Sequence, residues 1–485
     1  MTQDSDVGAR ADMPAGRRIA VAMVAAGAVM ATALPQILSG SLRGRPAMDQ
    51  LNFHEPTARI FAHDWPNFDL GSYLSATTPL YHLIIAAVCR FVSDQRWVLQ
   101  GAGMVFSVAL AGLLAWACAR RARAGLALAC VAAAFASHYT FFPAVWLLPD
   151  NLGWLLVLGV LLLALRERVD HWTYAGGGLL LVLLVLTRQV HLWAAGPLVM
   201  AAWLGGPGGP CGPARRLGRA SMMLLACVPA LAAVGAFAQL WHGLTPPLFQ
   251  HEYRAGAGVF SRLNPAAPAY VLAQVGLYGA FFLPVLFAPL ARVWRDRRAA
   301  LLAAVVIALL LAVGPATTRD QGVGRWQGLW DWSGKLPVIA GHTSVLIAGL
   351  AMLGGVVLVG CCERVGRRNA MLLLVALGGF MAAQAAVFQL WQRYHVPFIL
   401  MLLALTACCE DSNGEGGAVR SFWRHAAWLG PAALALAMGA MTGKMCLRDP
   451  PQPRWSEADL LKALYPEGGG PRALRLEPGQ PRQER

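Results

Sequence analysis

The sequence predicts an all-α polytopic membrane protein, and three observations carry that prediction. Apolar residues fill 57% of the 485 positions and charged residues only 13%. Apolar runs recur from position 18 to about position 443. Arginines come in short groups between those runs, as they do in the cytoplasmic loops of membrane proteins. The net charge of +15 therefore reads as topology and not as a surface for nucleic acid.

The first run, "IAVAMVAAGAVMATALPQIL", follows Arg17 and Arg18. It is longer than the apolar region of a signal peptide and many more runs follow, so it is read as a retained first helix behind a cytoplasmic segment, 1–17. If that segment is inside, the clusters Arg120/Arg121/Arg123, Arg166/Arg168, Arg215/Arg216/Arg219, Arg292/Arg295/Arg297/Arg298 and Arg364/Arg367/Arg368 face the same side under one threading. That threading makes "TTPLYHLIIAAVCRFV", 77–92, a membrane-surface helix, and 39–97 one long external loop.

The spans expected after it are 98–118, 124–146, 151–165, 173–187, 190–205, 221–241, 269–291, 299–314, 338–360, 370–390, 396–409 and 425–443. Several fall short of the roughly 20 residues a bilayer core needs, so the expected count is 11–13. The transmembrane domain is 18–443, with the N-terminus inside and the C-terminus outside. An external tail, 444–485, carries "WSEADLLKALYP", whose Ser456-x-x-Asp459 start suits one short helix, before a Gly-, Pro- and Arg-rich end suited to disorder.

Several chemistries lack their signatures. The ten cysteines include the neighbours Cys361/Cys362 and Cys408/Cys409, and no pair of CxxC motifs is present, so neither a disulfide framework nor a zinc site is predicted. The absence of a G-x-x-x-x-G-K-[ST] loop argues against ATP hydrolysis. "GGPGGPCGP" reads as a flexible inner loop. No internal repeat is evident, which weighs against a transporter built from two related halves.

Function is expected on the outer side, where the loops are long, aromatic and chemically mixed. "RPAMDQLNFHEPTARIF", 45–61, places Asp49, Gln50, His54 and Glu55 close beyond the first helix, and Asp64-Trp65 and Thr77-Thr78-Pro79-Leu80-Tyr81 follow. A carboxylate held at the membrane edge can act as a general base on a hydroxyl while the other reactant stays anchored in lipid.

The order "AMDQLNFHEPTARIF…DW…TTPLY" resembles the first external loop of the dolichyl-phosphate-glucose-dependent alpha-1,2-glucosyltransferases, which add the terminal glucose to the lipid-linked oligosaccharide. Their loop carries a Met-Asp-Glu, Phe-His-x-Pro, Trp-Asp and Thr-Thr-x-Pro series. "TRQVHLW" at 187 is similar to that family's Phe-Arg-Gln-Thr-Asn-x-x-Trp, and "QRYHVPF" at 392 to its Phe-Arg-Tyr-x-x-x-Pro. The sequence departs from the pattern at Gln50, by an insertion before Phe53-His54, and by a longer stretch between Trp65 and Thr77.

The resemblance implies a GT-C-like fold and a hexosyltransferase that takes its sugar, glucose in that family, from a polyprenyl phosphate and passes it to a lipid-linked or surface glycan acceptor on the outer face. The donor is then a substrate, and no cofactor is implied. Asp49 becomes the general base. Arg188 and Arg393, each at an outer helix end, suit the leaving phosphate because a planar guanidinium binds two oxygens at once, with His395 as a helper. Acceptor-binding or supporting roles fall to Gln50, His54, Glu55, Asp64, Asp150, Gln189 and Tyr394.

Plainer readings exist for several of these residues. Either arginine alone fits interfacial snorkelling, and Asp150 fits a helix cap as well as a second acidic site residue. Trp326, Trp330 and Trp332 fit an aromatic belt as well as sugar stacking. The rival function is a transporter or lipid flippase for a glycan or lipid substrate, and behind it a membrane scaffold. Transport predicts ionisable residues in mid-span, whereas here the charges lie at helix ends.

Overall fold

The computed structural model describes residues 13–40, 47–205, 212–247, 263–321, 324–325, 327–387, 389–409 and 426–448. Positions 206–211 of the glycine-rich segment expected as an inner loop, Trp326 and the tail beyond 448 lie outside them.

The chain opens with α1 (Ala15–Leu38), which buries Val21, Ala25, Val29, Ala33 and Ile37. That four-residue spacing is a single helical stripe. The long first loop is largely helical. A single turn, α2 (Ala47–Asp49), passes into a π-turn (Gln50–His54) and then α3 (Glu55–His63). The stretch expected as a surface helix forms α4 (Leu80–Phe91).

Next come α5 (Arg96–Cys118), α6 (Ala124–Phe135), α7 (His138–Val145), α8 (Asp150–Ala164) and α9 (His171–Thr187). A 3-10 turn (Gln189–Ala194) leads into α10 (Ala195–Leu204), followed by α11 (Pro213–Trp241), α12 (Ala267–Gly279), α13 (Leu283–Asp296) and α14 (Arg298–Val313). The short helix α15 (Leu329–Ser333) precedes a hairpin of β1 (Val338–Ile339) and β2 (Thr343–Ser344). The last described helices are α16 (Val345–Val365), α17 (Arg367–Ala385), α18 (Val396–Cys408) and α19 (Leu429–Cys446).

Apart from that short hairpin the described residues form a helical, polytopic membrane architecture. Among the described residues six helical stretches are long and apolar enough to cross a membrane: Ala15–Leu38, Arg96–Cys118, Pro213–Trp241, Ala267–Asp296, Val345–Val365 and Arg367–Ala385. A seventh arises if α6 and α7, bent by 73°, act as one. The runs expected at 151–165, 173–187 and 299–314 are helices of 15, 17 and 16 residues, below the length a bilayer core needs. The run expected at 190–205 starts as a 3-10 turn, and that at 338–360 starts as the hairpin.

Two features build the interior. All residues of α18 are buried, as suits a helix that is apolar on every side. α12 and α16 touch backbone to backbone: a Cβ on Gly276 would sit 2.0 Å from the Leu350 carbonyl oxygen, and one on Gly354 2.1 Å from that of Leu272. Only glycine permits that approach, as at close helix crossings in membranes. The first residues of α8, the end of α9 and the turn before α18 meet at one end of this core.

Candidate functional site

Four charged residues from four chain segments converge there. Asp49 ends α2 and is hydrogen-bonded by Arg393 Nη1. Arg393 lies in the turn leading into α18, and its Nε is 3.8 Å from Asp150 Oδ1. The same Asp150 oxygen accepts from Arg188 Nη1 at 2.7 Å. Acid and base therefore alternate along Asp49, Arg393, Asp150 and Arg188.

Local structure explains each placement. Asp150 is the first residue of α8, where a carboxylate is favoured by the helix dipole, and the N-cap position is Pro149. The Asp150 side chain makes no capping bond, so the cap reading gives way to the ion pair. Arg188 closes α9 in extended backbone, with its amide on the Leu184 carbonyl. A cation suits that C-terminal end. The first loop is tied to this helix end by Thr78 Oγ1, which donates to the Val185 carbonyl at 2.6 Å. Tyr394 lies under both cations, 4.9 Å from the Arg188 guanidinium and 5.3 Å from that of Arg393.

Access falls off across the set. The side chains of Asp49 and Arg393 are 28% and 18% exposed, Arg188 12% and Asp150 2%. Hydrogen bonding is incomplete: Asp150 Oδ2 and Arg393 Nε are buried without a hydrogen-bond partner. Burial works against the charge on Arg393, but Asp49 and Asp150 outweigh it and hold the guanidinium more firmly protonated than usual.

The other predicted residues divide. Glu55 does not join the set: Arg96 Nε donates to it at 2.8 Å, Arg59 Nη2 at 2.9 Å and Gln50 Nε2 at 2.9 Å. Burial raises its pKa, but Arg96, then Gln50 and Arg59, outweigh that and leave the carboxyl below its ordinary value. Gln50 Oε1 accepts from the Leu147 amide and from Gln100 Nε2, so Gln50 fastens the loop to its surroundings.

His395, placed beside the phosphate by its sequence position, points instead into the interior. It is fully buried between Gln274, 2.9 Å from Nδ1, and Gln384, 3.1 Å from Nε2. Its backbone enters the buried helix α18, so its ring is carried inward while Arg393 stays at the rim. Asp64 pairs with its neighbour His63 at 2.8 Å. Gln189 donates to the Ala76 and Leu244 carbonyls. Trp330 is buried, stacked 4.1 Å from Tyr270, and donates to the Leu390 carbonyl, whereas Trp332 is exposed.

His54 contacts the buried His82, Nδ1 to Nε2 at 2.9 Å. Burial is the main force that pushes its imidazole down to about 3, with Asp150 opposing and Arg393 and Arg188 adding to it. His82, Arg96 and Gln100 were not singled out as site residues by the sequence. Each is joined to the Gln50–Glu55 stretch by a contact spanning 28 to 50 positions, and no local spacing signals such a contact.

The described cysteines are free, and no group of three or more His, Cys, Asp or Glu among the described residues is placed to hold a metal. No family model matches the chain, and no curated protein matches it. Among solved structures it is similar to the crystal structure of ArnT from Cupriavidus metallidurans in the apo state, at 15% sequence identity over 79% of this chain and 77% of that one, with a TM-score of 0.29.

Proposed function

We propose that the protein is a membrane glycosyltransferase of the GT-C type, which moves a hexose from a polyprenyl phosphate to a glycan or lipid acceptor at the outer face. One observation carries the reading. The three sequence pieces resembling the glucosyltransferase family supply Asp49, Arg188 and Arg393, and these meet through Asp150. The first external loop, 39–97, is then the catalytic loop of a transmembrane domain spanning 18–443.

In this reading the donor phosphate binds Arg393 and Arg188, whose guanidiniums Asp150 holds side by side. Asp49 occupies Arg393 before the donor arrives, so phosphate and carboxylate compete for one cation. Donor binding releases Asp49, and a carboxylate free of a guanidinium is the better base. The acceptor hydroxyl gives its proton to Asp49 as its oxygen bonds to the anomeric carbon. The bond from that carbon to the phosphate oxygen breaks, and the two arginines stabilise the charge on the departing lipid phosphate.

The four charges sit at helix ends and turns and not in mid-span, which disfavours the transporter reading. The test is transfer of labelled sugar from a polyprenyl phosphate by the purified protein in lipid, with glycan and lipid acceptors supplied. Transfer from a nucleotide sugar with no polyprenyl phosphate present, or no transfer from any lipid-linked donor, would overturn the proposal.

A further inference from the structure

The π-turn at Gln50–His54 changes which residues share a face. In an α-helix a five-residue step turns a side chain by about 140°. Here the Gln50 carbonyl accepts from the Glu55 amide, five positions on, and Gln50 Nε2 also bonds Glu55 Oε2. The wider turn brings Glu55 back toward Gln50. Asp150, Arg393 and Arg188 are the charges that act on the His54 ring.

His54 also has a fixed partner. Its Nδ1 lies 2.9 Å from Nε2 of His82, with the rings 5.2 Å apart and 23° from parallel. His82 is fully buried, and its Nδ1 has no partner. One proton lies between the two rings, and the buried end decides its place. Were His54 the donor, a neutral His82 would carry its proton on Nδ1, leaving an N–H orphaned in the interior. Buried orphan N–H groups are the rarer and costlier case.

We infer that His82 is a positioning residue: its Nε2–H donates to His54 Nδ1 and so leaves His54 with an Nε2–H donor for an oxygen of the lipid-linked sugar phosphate. The substrate part rests on the function proposed above; the hydrogen bond does not. A neutral donor at this point binds an oxygen without adding a cation that would compete with Arg393 for Asp49.

The experiment uses the full chain in lipid nanodiscs with ¹⁵N-labelled histidine rings, and His54→Asn identifies the signal. At neutral pH the wild type should show His54 as a single Nε2–H tautomer. His82→Leu should give mixed tautomers and raise the donor KM about tenfold, the scale of one ordinary hydrogen bond. His82→Gln, whose amide N–H still donates, should restore both. An Nδ1–H tautomer in the wild type, an unchanged tautomer in His82→Leu, or an unchanged donor KM there would each overturn the inference. If the wild type transfers no sugar, the functional proposal falls, while the ring signals still decide whether His82 orients His54.

Discussion

Two carboxylate networks lie within six residues of one another in the first loop, and they differ in completeness. Around Glu55, Arg96, Arg59 and Gln50 supply donors to both oxygens, and Gln50 is itself held by Leu147 and Gln100. Around Asp49 the set is open: Asp49 is partly exposed, and Asp150 Oδ2 and Arg393 Nε have no hydrogen-bond partner. A saturated buried network holds a fold together, because every group removed from water is repaired. An unsaturated one keeps capacity for something not yet bound. Proximity in sequence made the two acids look alike; their partners separate them.

The largest expected effect breaks the open network at its rim. Asp49→Asn should lower transfer by about 10²- to 10⁴-fold, the usual contribution of a general base, while detergent stability stays near wild type. Donor KM should not rise, since asparagine competes less well than aspartate for Arg393. If Asp49→Asn keeps most of its turnover under saturating donor while Glu55→Gln loses it, the base has been assigned to the wrong network.

Removing a cation comes next. Arg393→Ala should reduce transfer by about 10²- to 10³-fold, the scale of losing one charge-stabilising donor. Arg188→Ala should weaken donor use and also destabilise the protein by about 3 kcal/mol, because it strips the 2.7 Å partner from a buried carboxylate. The persistence of Arg393 near Asp150 keeps that cost at the lower end. Donor kinetics and melting in detergent, measured on both variants, separate the roles; unchanged kinetics in both would reduce these residues to interfacial cations.

The closed network should answer in stability. Glu55→Gln is expected to cost about 1–3 kcal/mol, the range for lost charge-assisted hydrogen bonds, moderated because Arg59 and Arg96 are 36% and 41% exposed. Transfer should change far less than in Asp49→Asn. The folded carboxyl sits below its unfolded value, so its stabilisation is present above that unfolded value and is lost as pH falls through the folded one. Wild type should therefore lose melting temperature on acidification below about pH 4, and Glu55→Gln should lose less over that window. Equal acid sensitivity in the two proteins would remove Glu55 from this role.

The smallest effect tests the ring beneath the cations. Tyr394→Leu removes a face that both arginines approach and should raise the donor KM about two- to fivefold, as loss of a partly exposed cation–π contact does. A change in turnover with no change in donor KM would move Tyr394 out of donor binding.

Composition and hydropathy by themselves determined that this is a helical membrane chain, because burying backbone polar groups in lipid admits few other solutions for long apolar runs. Residue type and order, through the resemblance they carry to the glucosyltransferase family, also marked Asp49, Arg188 and Arg393, with Asp150 as helix cap or second acidic residue, but they say nothing of what these side chains touch. Only the tertiary structure decided their partners. Asp49 and Arg393 are 344 positions apart, and hydropathy carries no information about contacts at that range. It also decided which neighbours do not belong: His395 follows Arg393 by two positions, yet the start of a fully buried helix carries its ring between Gln274 and Gln384. The π-turn was equally hidden, for it depends on long-range bonds that hold Gln50 and Glu55 in place and leaves no periodicity in five residues. Sequence names the charged residues because side-chain chemistry is local; which of them form one site is set by packing between distant segments.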